Sequence, residues 1–235
     1  MMPFPWSRTA LMLTMLVLGA CAPENGPTSS APSEAESATP AISEEQAALL
    51  DPALARRQAP ESFRVRFQTT QGAFLVEATR SWAPLGVDRF YNLSRIGFFT
   101  DVAFFRAVKD FIIQFGVSGD PAITKVWSIA TIPDDPAGMS NRRGFLSFAK
   151  GDVNTRTTQL FINLKDNTDL DGAGFTPVAK VIEGMEVVDS LYMGYGDLYP
   201  IGNGPRFQLL NLRGNEYLRM HFPDMDYIRS AELVD

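Results

Sequence analysis

Three polar side chains interrupt strands that are otherwise apolar, and their types limit the chemistry on offer. Arg106 stands in Val102-Ala103-Phe104-Phe105-Arg106-Ala107-Val108 and Gln114 in Phe111-Ile112-Ile113-Gln114-Phe115-Gly116-Val117. Gln159 precedes Leu160-Phe161-Ile162-Asn163, where Leu160 and Ile162 form one face and Gln159 and Phe161 share the other. A guanidinium on an apolar sheet face is costly to bury unpaired. It either meets a carboxylate at the rim of the sheet or lines a solvent-filled groove as a hydrogen-bond donor. A turn near Lys109-Asp110 would set Arg106 beside Gln114, though these residues do not fix the register of such a hairpin. Proton-transfer and thiol chemistry are poorly supplied, because the chain has one histidine and one cysteine. An internal disulfide and a cysteine- or histidine-rich zinc site are excluded.

The elements that must position these groups are mostly short strands. Phe63–Gln68 alternates as a half-buried strand does, Gln71-Gly72 marks a turn, and Ala73–Glu77 returns. Further strands are expected over 102–108, 111–117, 145–149, 158–163 and 176–182, with Phe207–Leu212 as a last candidate. Pro84 opens a helix with Val87, Phe90 and Leu93 on one face and Gly97 past its end. A second helix near 184–193 holds Met185, Val188 and Leu191. A short helix over Glu44–Arg57 is interrupted at Pro52, 194–206 is a glycine- and proline-rich loop, and 214–235 is a partly helical tail. Many short strands and two interior helices predict a mainly β barrel or sandwich.

The first residues read as an address. Arg8 is the only charge before an apolar run from Ala10 to Ala20. That run is shorter than the about 20 residues a helix needs to cross roughly 30 Å of hydrocarbon, and it has the form of a secretory signal. Leu18-Gly19-Ala20-Cys21 resembles the lipobox of bacterial lipoproteins, which makes Cys21 the expected site of acylation and the mature N-terminus. Residues 22–46 hold five glutamates and no basic residue amid proline, serine and alanine, the composition of a disordered tether. The full chain carries a net charge of -6; loss of residues 1–20 removes Arg8 and gives -7, of which five charges sit in the tether and -2 remains. With no concentrated basic face, a nucleic-acid partner is not expected. The organisation expected is a signal over 1–20, a tether over 21–46, a helical lead-in over 47–61, a barrel over 62–212 and a tail over 213–235.

Several blocks, in order, carry a family resemblance. Phe104-Phe105-Arg106-Ala107-Val108-Lys109-Asp110-Phe111-Ile112-Ile113-Gln114-Phe115-Gly116 resembles the active-site stretch of cyclophilins, F-H-R-V-x-x-x-F-M-x-Q-G-G. Gly144–Ala149, Asn154-Thr155 and Gln159–Ile162 resemble their second block, G-x-L-S-M-A, N-T and S-Q-F-F-I. Leu170-Asp171-Gly172 and Val181–Asp189 continue the match, and Gly194-Tyr195-Gly196-Asp197 with the tail resembles an extension of some bacterial members. The resemblance implies a closed eight-stranded antiparallel barrel capped by two α-helices. It implies a cofactor-free, metal-free, monomeric prolyl isomerase acting on proline-containing polypeptides. Arg106 matches the catalytic arginine, and Phe111 and Gln114 complete the catalytic set. Phe111, Ile112, Phe161 and Leu170 match the wall of the proline pocket, Ala149, Lys150 and Gln159 fall where the substrate backbone and the preceding residue are contacted, and Phe175 joins the substrate-binding set. The departures are Phe105 and Phe175 at histidine positions, Phe115 at a glycine, Lys150 at an asparagine and Asp169 at an aromatic on which cyclosporin binding leans.

Such a site suits X–Pro rotation, whose barrier of about 18–20 kcal/mol comes from broken amide resonance rather than from proton transfer. Scarce histidine and cysteine are therefore no obstacle. Anchored through Cys21, the chain is expected at a bacterial membrane, on the outer membrane facing the periplasm where there are two. The alternative is a chaperone or scaffold that grips proline segments without turning them over. Asn167-x-Asp169-x-Asp171-Gly172 imitates half an EF-hand loop, but Val178 stands where the bidentate glutamate is needed. His221 has no catalytic neighbour in sequence.

Overall fold

In the computed structural model, which describes residues 43–235, the strands expected from alternation line one continuous antiparallel sheet. The signal-like segment, Cys21 and all but the end of the tether lie outside the described residues. In chain order the elements are α1 (Glu44–Leu50), β1 (Ser62–Thr69), β2 (Ala73–Thr79), α2 (Pro84–Arg95), β3 (Val102–Ala103), β4 (Arg106–Val108) and β5 (Ile112–Phe115). There follow α3 (Pro121–Trp127), β6 (Phe145–Phe148), β7 (Leu160–Asn163), α4 (Asp169–Gly172), β8 (Pro177–Glu183), α5 (Met185–Ser190), α6 (Phe207–His221) and β9 (Tyr227–Val234).

The sheet runs β3-β9-β1-β2-β8-β6-β7-β5-β4, nine strands rather than eight, and its ladder is open between β3 and β4. These two edge strands are joined by Phe104 and Phe105 alone. Ala103 and Arg106 can be no more than about 10 Å apart through the chain, whereas nine flat strands would span about 38 Å. The sheet therefore curls until its edges nearly meet. Where a closed barrel would pair them, the edge N–H groups go elsewhere: Phe104 donates to the Asp226 carbonyl at 3.0 Å and Ala107 to the Gly196 carbonyl at 3.1 Å.

Two tail expectations are corrected. Phe207–Leu212 belongs to helix α6, kinked at Gly214, and buries Leu210, Tyr217 and Leu218, a spacing of seven and one that fits helical periodicity. The chain end is a strand, β9, inserted between β3 and β1. Helix α3, absent from the sequence reading, starts at Asp120-Pro121, with the Asp120 carboxylate accepting the Ala122 N–H at 2.7 Å.

The curl produces two apolar clusters. Alternate residues of β1 and β2, with Val87, Phe90 and Leu93 of α2 and Ile113 and Phe115 of β5, fill the main core. Ala103 and Phe105 face the opposite way, into a second cluster with Leu210, Leu218, Phe222 and Met225. This explains why 102–108 is apolar on both faces: Phe104 packs inward and Phe105 packs under α6. Asn92, which fits a glycosylation pattern, is buried, its amide accepting the Arg57 N–H at 3.0 Å and donating to the Arg57 carbonyl at 2.6 Å.

Candidate active site

Register, not sequence proximity, assembles the site. Arg106 pairs with Gln114 across β4 and β5, Gln114 with Phe161 across β5 and β7, and Phe161 with Ser147 across β7 and β6. Directly paired residues share a sheet face, so these four form one row. The intervening residues Ala107, Ile113, Ile162 and Leu146 point to the core and are buried.

Within the row a hydrogen-bond chain fixes the donors. Arg106 Nη1 donates to Gln114 Oε1 at 3.1 Å, and Gln114 Nε2 donates to Gln159 Oε1 at 3.0 Å. The Arg106 guanidinium also lies 5.9 Å from the Phe111 ring centroid. Both sequence alternatives for Arg106 hold at once. It is paired at the sheet rim, with Asp197 Oδ1 accepting from Nε at 2.7 Å and Oδ2 from Nη2 at 2.9 Å. It also lines a cleft of about 280 Å³ with Gln114, Ala149, Lys150 and Gln159. Burial pushes the Asp197 carboxyl up, but the Arg106 guanidinium and the Leu198 N–H outweigh it and hold the group below the ordinary carboxylate range.

The aromatic residues stand beside these donors. The Phe161 and Phe175 rings meet edge-on at 5.7 Å, and Lys150 Nζ lies 5.5 Å from the Phe175 ring while bonding Asp134 at 2.7 Å. Ile112 is buried on the face of Gln114, and Leu170 is half-buried with its carbonyl accepting the Phe175 N–H at 3.2 Å. The Ala149 N–H donates to the Gln159 carbonyl at 2.9 Å. Of the five departures, only Lys150 lines the cleft. Phe105 packs against Phe207, with ring centroids 6.3 Å apart, and Phe115 sits in the main core. Asp169 is exposed at the start of α4.

The sequence reading missed the polar bracket behind the pocket. Asn141 Nδ2 donates to the Phe175 carbonyl at 2.7 Å and to Asp171 Oδ1 at 2.8 Å, and Asn167 Nδ2 donates to the Phe111 carbonyl at 2.9 Å. Ser147 and Asn163 join through Asn141 Oδ1 at 2.7 and 3.3 Å. The half EF-hand motif is thus used structurally, with Asn167 and Asp171 tying pocket walls together. Only Asn163, at the end of the apolar strand β7, carries a sequence mark; Asn141 and Asn167 lie in polar loops. Asp197 was also missed as a site residue, and its mark is a lone carboxylate in a glycine-rich loop. His221 is exposed at the end of α6, its ring 5.2 Å from that of Tyr217.

Residues 64–200 match the family described as cyclophilin type peptidyl-prolyl cis-trans isomerase/CLD. The chain is similar to peptidyl-prolyl cis-trans isomerase B of Escherichia coli, 31% identical over 136 residues that cover 54% of this chain and 82% of that protein. It is 35% identical over 129 residues to the peptidyl-prolyl cis-trans isomerase-like 2 of Neurospora crassa, covering 52% of this chain but only 21% of that longer protein. The cyclophilin type peptidyl-prolyl cis-trans isomerase of Cryptosporidium parvum, solved also in the presence of the dipeptide Ala-Pro, superposes with a TM-score of 0.56 at 25% identity, covering 74% of this chain and 98% of its own.

Proposed function

The chain belongs to the cyclophilin-type peptidyl-prolyl cis-trans isomerases, and from that membership we propose that Arg106 carries X–Pro rotation at a cleft for proline-containing polypeptides. The observation that supports this is the arginine itself, bonded to Asp197 and Gln114 yet lining the cleft beside Phe111. In a planar amide the proline nitrogen has no lone pair to offer. Twisting makes the nitrogen pyramidal and restores the lone pair, which an Arg106 N–H can then bond. The interaction is absent from the ground state, so it lowers the barrier instead of merely tightening binding. Phe111, Phe161 and Phe175 supply apolar contact for the ring, and no proton is transferred. NMR exchange spectroscopy on a proline peptide tests the reading: cross-peaks between cis and trans forms are expected in substoichiometric protein. Binding without exchange would favour the chaperone reading.

Location is proposed from Cys21 and the lipobox-like residues before it. Several acyl chains would hold the enzyme durably at a membrane. We expect clients among envelope proteins and a monomer on its tether. Intact mass of the mature protein should show a diacylglyceryl and acyl addition at Cys21. An unmodified thiol there, or retention of residues 1–20, would refute anchoring.

Asp169 bears on inhibition. An exposed carboxylate stands where cyclosporin binding in the family leans on an aromatic. It removes apolar contact and adds a desolvation cost, each worth about one to a few kcal/mol. Calorimetric titration should find binding much weaker than nanomolar, and Asp169→Trp should tighten it. Nanomolar affinity in the unaltered protein would contradict this.

A further inference from the structure

The loop between α5 and α6 is built around the carboxylate that grips the arginine. Asp197 takes Nε and Nη2 of Arg106 at 2.7 and 2.9 Å, a bidentate pairing that fixes the guanidinium plane as well as its position. With Nη1 bonded to Gln114, one N–H remains on each terminal nitrogen for substrate. Asp197 is itself held on several sides. Its Oδ1 accepts the Leu198 N–H at 2.7 Å and its carbonyl accepts the Gly204 N–H at 2.8 Å. The preceding Gly196 carbonyl accepts the N–H of Ala107, next to Arg106, at 3.1 Å. A Cβ at Gly202 or Gly204 would come within 2.4 or 2.6 Å of the Asp197 carbonyl oxygen, so only glycine lets the loop close here.

We propose that Asp197 is a positioning residue for the isomerase reaction, holding the Arg106 guanidinium in the orientation that meets the twisted proline nitrogen. This rests on the isomerase reading of the same site. A long side chain held by Gln114 alone would keep its rotamer freedom, whereas a donor aimed at a transient lone pair must be in place beforehand. The side chains of Arg106 and Asp197 are only 23% and 19% exposed, so water competes weakly for the pair. Arg106, from β4, is the charged group bonded to Asp197. Gln114 and Gln159 do not titrate, Arg206 stacks on Tyr199 at 3.9 Å, and the Tyr195 hydroxyl bonds Asp224 at 3.3 Å.

A double-mutant cycle in the full chain tests the proposal, with NMR exchange rate at saturating peptide and peptide affinity measured on each sample. Asp197→Asn should slow exchange about ten- to a hundredfold, as a catalytic group misplaced by about an ångström does. Affinity should change less than about threefold, because the lost interaction belongs to the twisted state. In the Arg106→Ala background the same substitution should have no further effect on rate, since Asp197 acts only through Arg106. The Arg106 Nε–H resonance should be sharp and shifted in the unaltered protein and broaden in Asp197→Asn. An unchanged or faster rate in Asp197→Asn, or an equal further loss in the Arg106→Ala background, would overturn the proposal. If the unaltered protein fails to accelerate exchange, the isomerase reading falls, and the positioning proposal with it. Acceleration in the unaltered protein with no loss in Asp197→Asn refutes positioning alone.

Discussion

Arg106→Ala is expected to slow catalysed exchange by two to three decades while leaving peptide binding within a few-fold. Removal of one preorganised donor from a partly dry site costs about 2.7–4 kcal/mol in the transition state. The ring contacts of Phe111, Phe161 and Phe175 remain, and the planar ground-state nitrogen offers no lone pair to lose. The substitution also strands the Asp197 carboxylate, which keeps only the Leu198 N–H among its side-chain partners, so urea unfolding must accompany the rates. Phe111→Ala should instead weaken affinity and rate together, since its ring acts in both states. If Arg106→Ala changes affinity and not exchange, the protein is a proline-peptide binder and the catalytic assignment fails.

That prediction was legible in the chain through the family resemblance, since an arginine inside an apolar strand fits a rim ion pair as well as a groove donor. Period-two alternation marks Arg106, Gln114 and Phe161 as face residues, but the two registers that align them in one row are set by strand pairing that the sequence leaves open. The Asp197 contact spans 91 positions, and nothing local in Gly194-Tyr195-Gly196-Asp197 says which strand the loop will meet. Strand count failed for a related reason. The sequence shows 102–108 as one apolar run, but Phe104 and Phe105 carry the chain from one edge of the curled sheet to the other. Phe207–Leu212 misled because a six-residue apolar stretch fits either period, and only Leu210 with Tyr217 and Leu218 shows the helix. The end of the chain reads as a partly helical tail until β1 offers it an edge, with Phe67 pairing opposite Ala231. Local preference thus marked which residues could act, while long-range pairing decided what they act with.

Asp135→Ala should be the most destabilising single change outside the main core. Helix α2 begins at Pro84 with Ala83 as its cap, and alanine has no side chain to satisfy the first N–H groups. Asp135, some fifty positions away, does so: Oδ1 accepts the Leu85 N–H at 2.9 Å and Oδ2 the Gly86 N–H at 2.8 Å. The same Oδ2 accepts from Arg156 Nη2 at 2.9 Å, and the two side chains are 2% and 3% exposed. Truncation leaves two helix donors and a buried guanidinium short of partners. Breaking such a pair from one side costs about 3–5 kcal/mol, a large share of the about 5–15 kcal/mol that holds a domain together. The damage should reach the site, because Asp134 beside it accepts from Lys150 at 2.7 Å and lies in ion-pair range of Arg156 at 3.3 Å. Urea midpoints at neutral pH measure the loss. Asp135→Asn should lose less, since an amide oxygen can still cap one N–H. Adding Arg156→Met to Asp135→Ala should restore part of the stability by removing the stranded charge. A loss below about 1 kcal/mol in Asp135→Ala would mean that solvent or Asp134 takes over both duties, and that α2 does not depend on this cap.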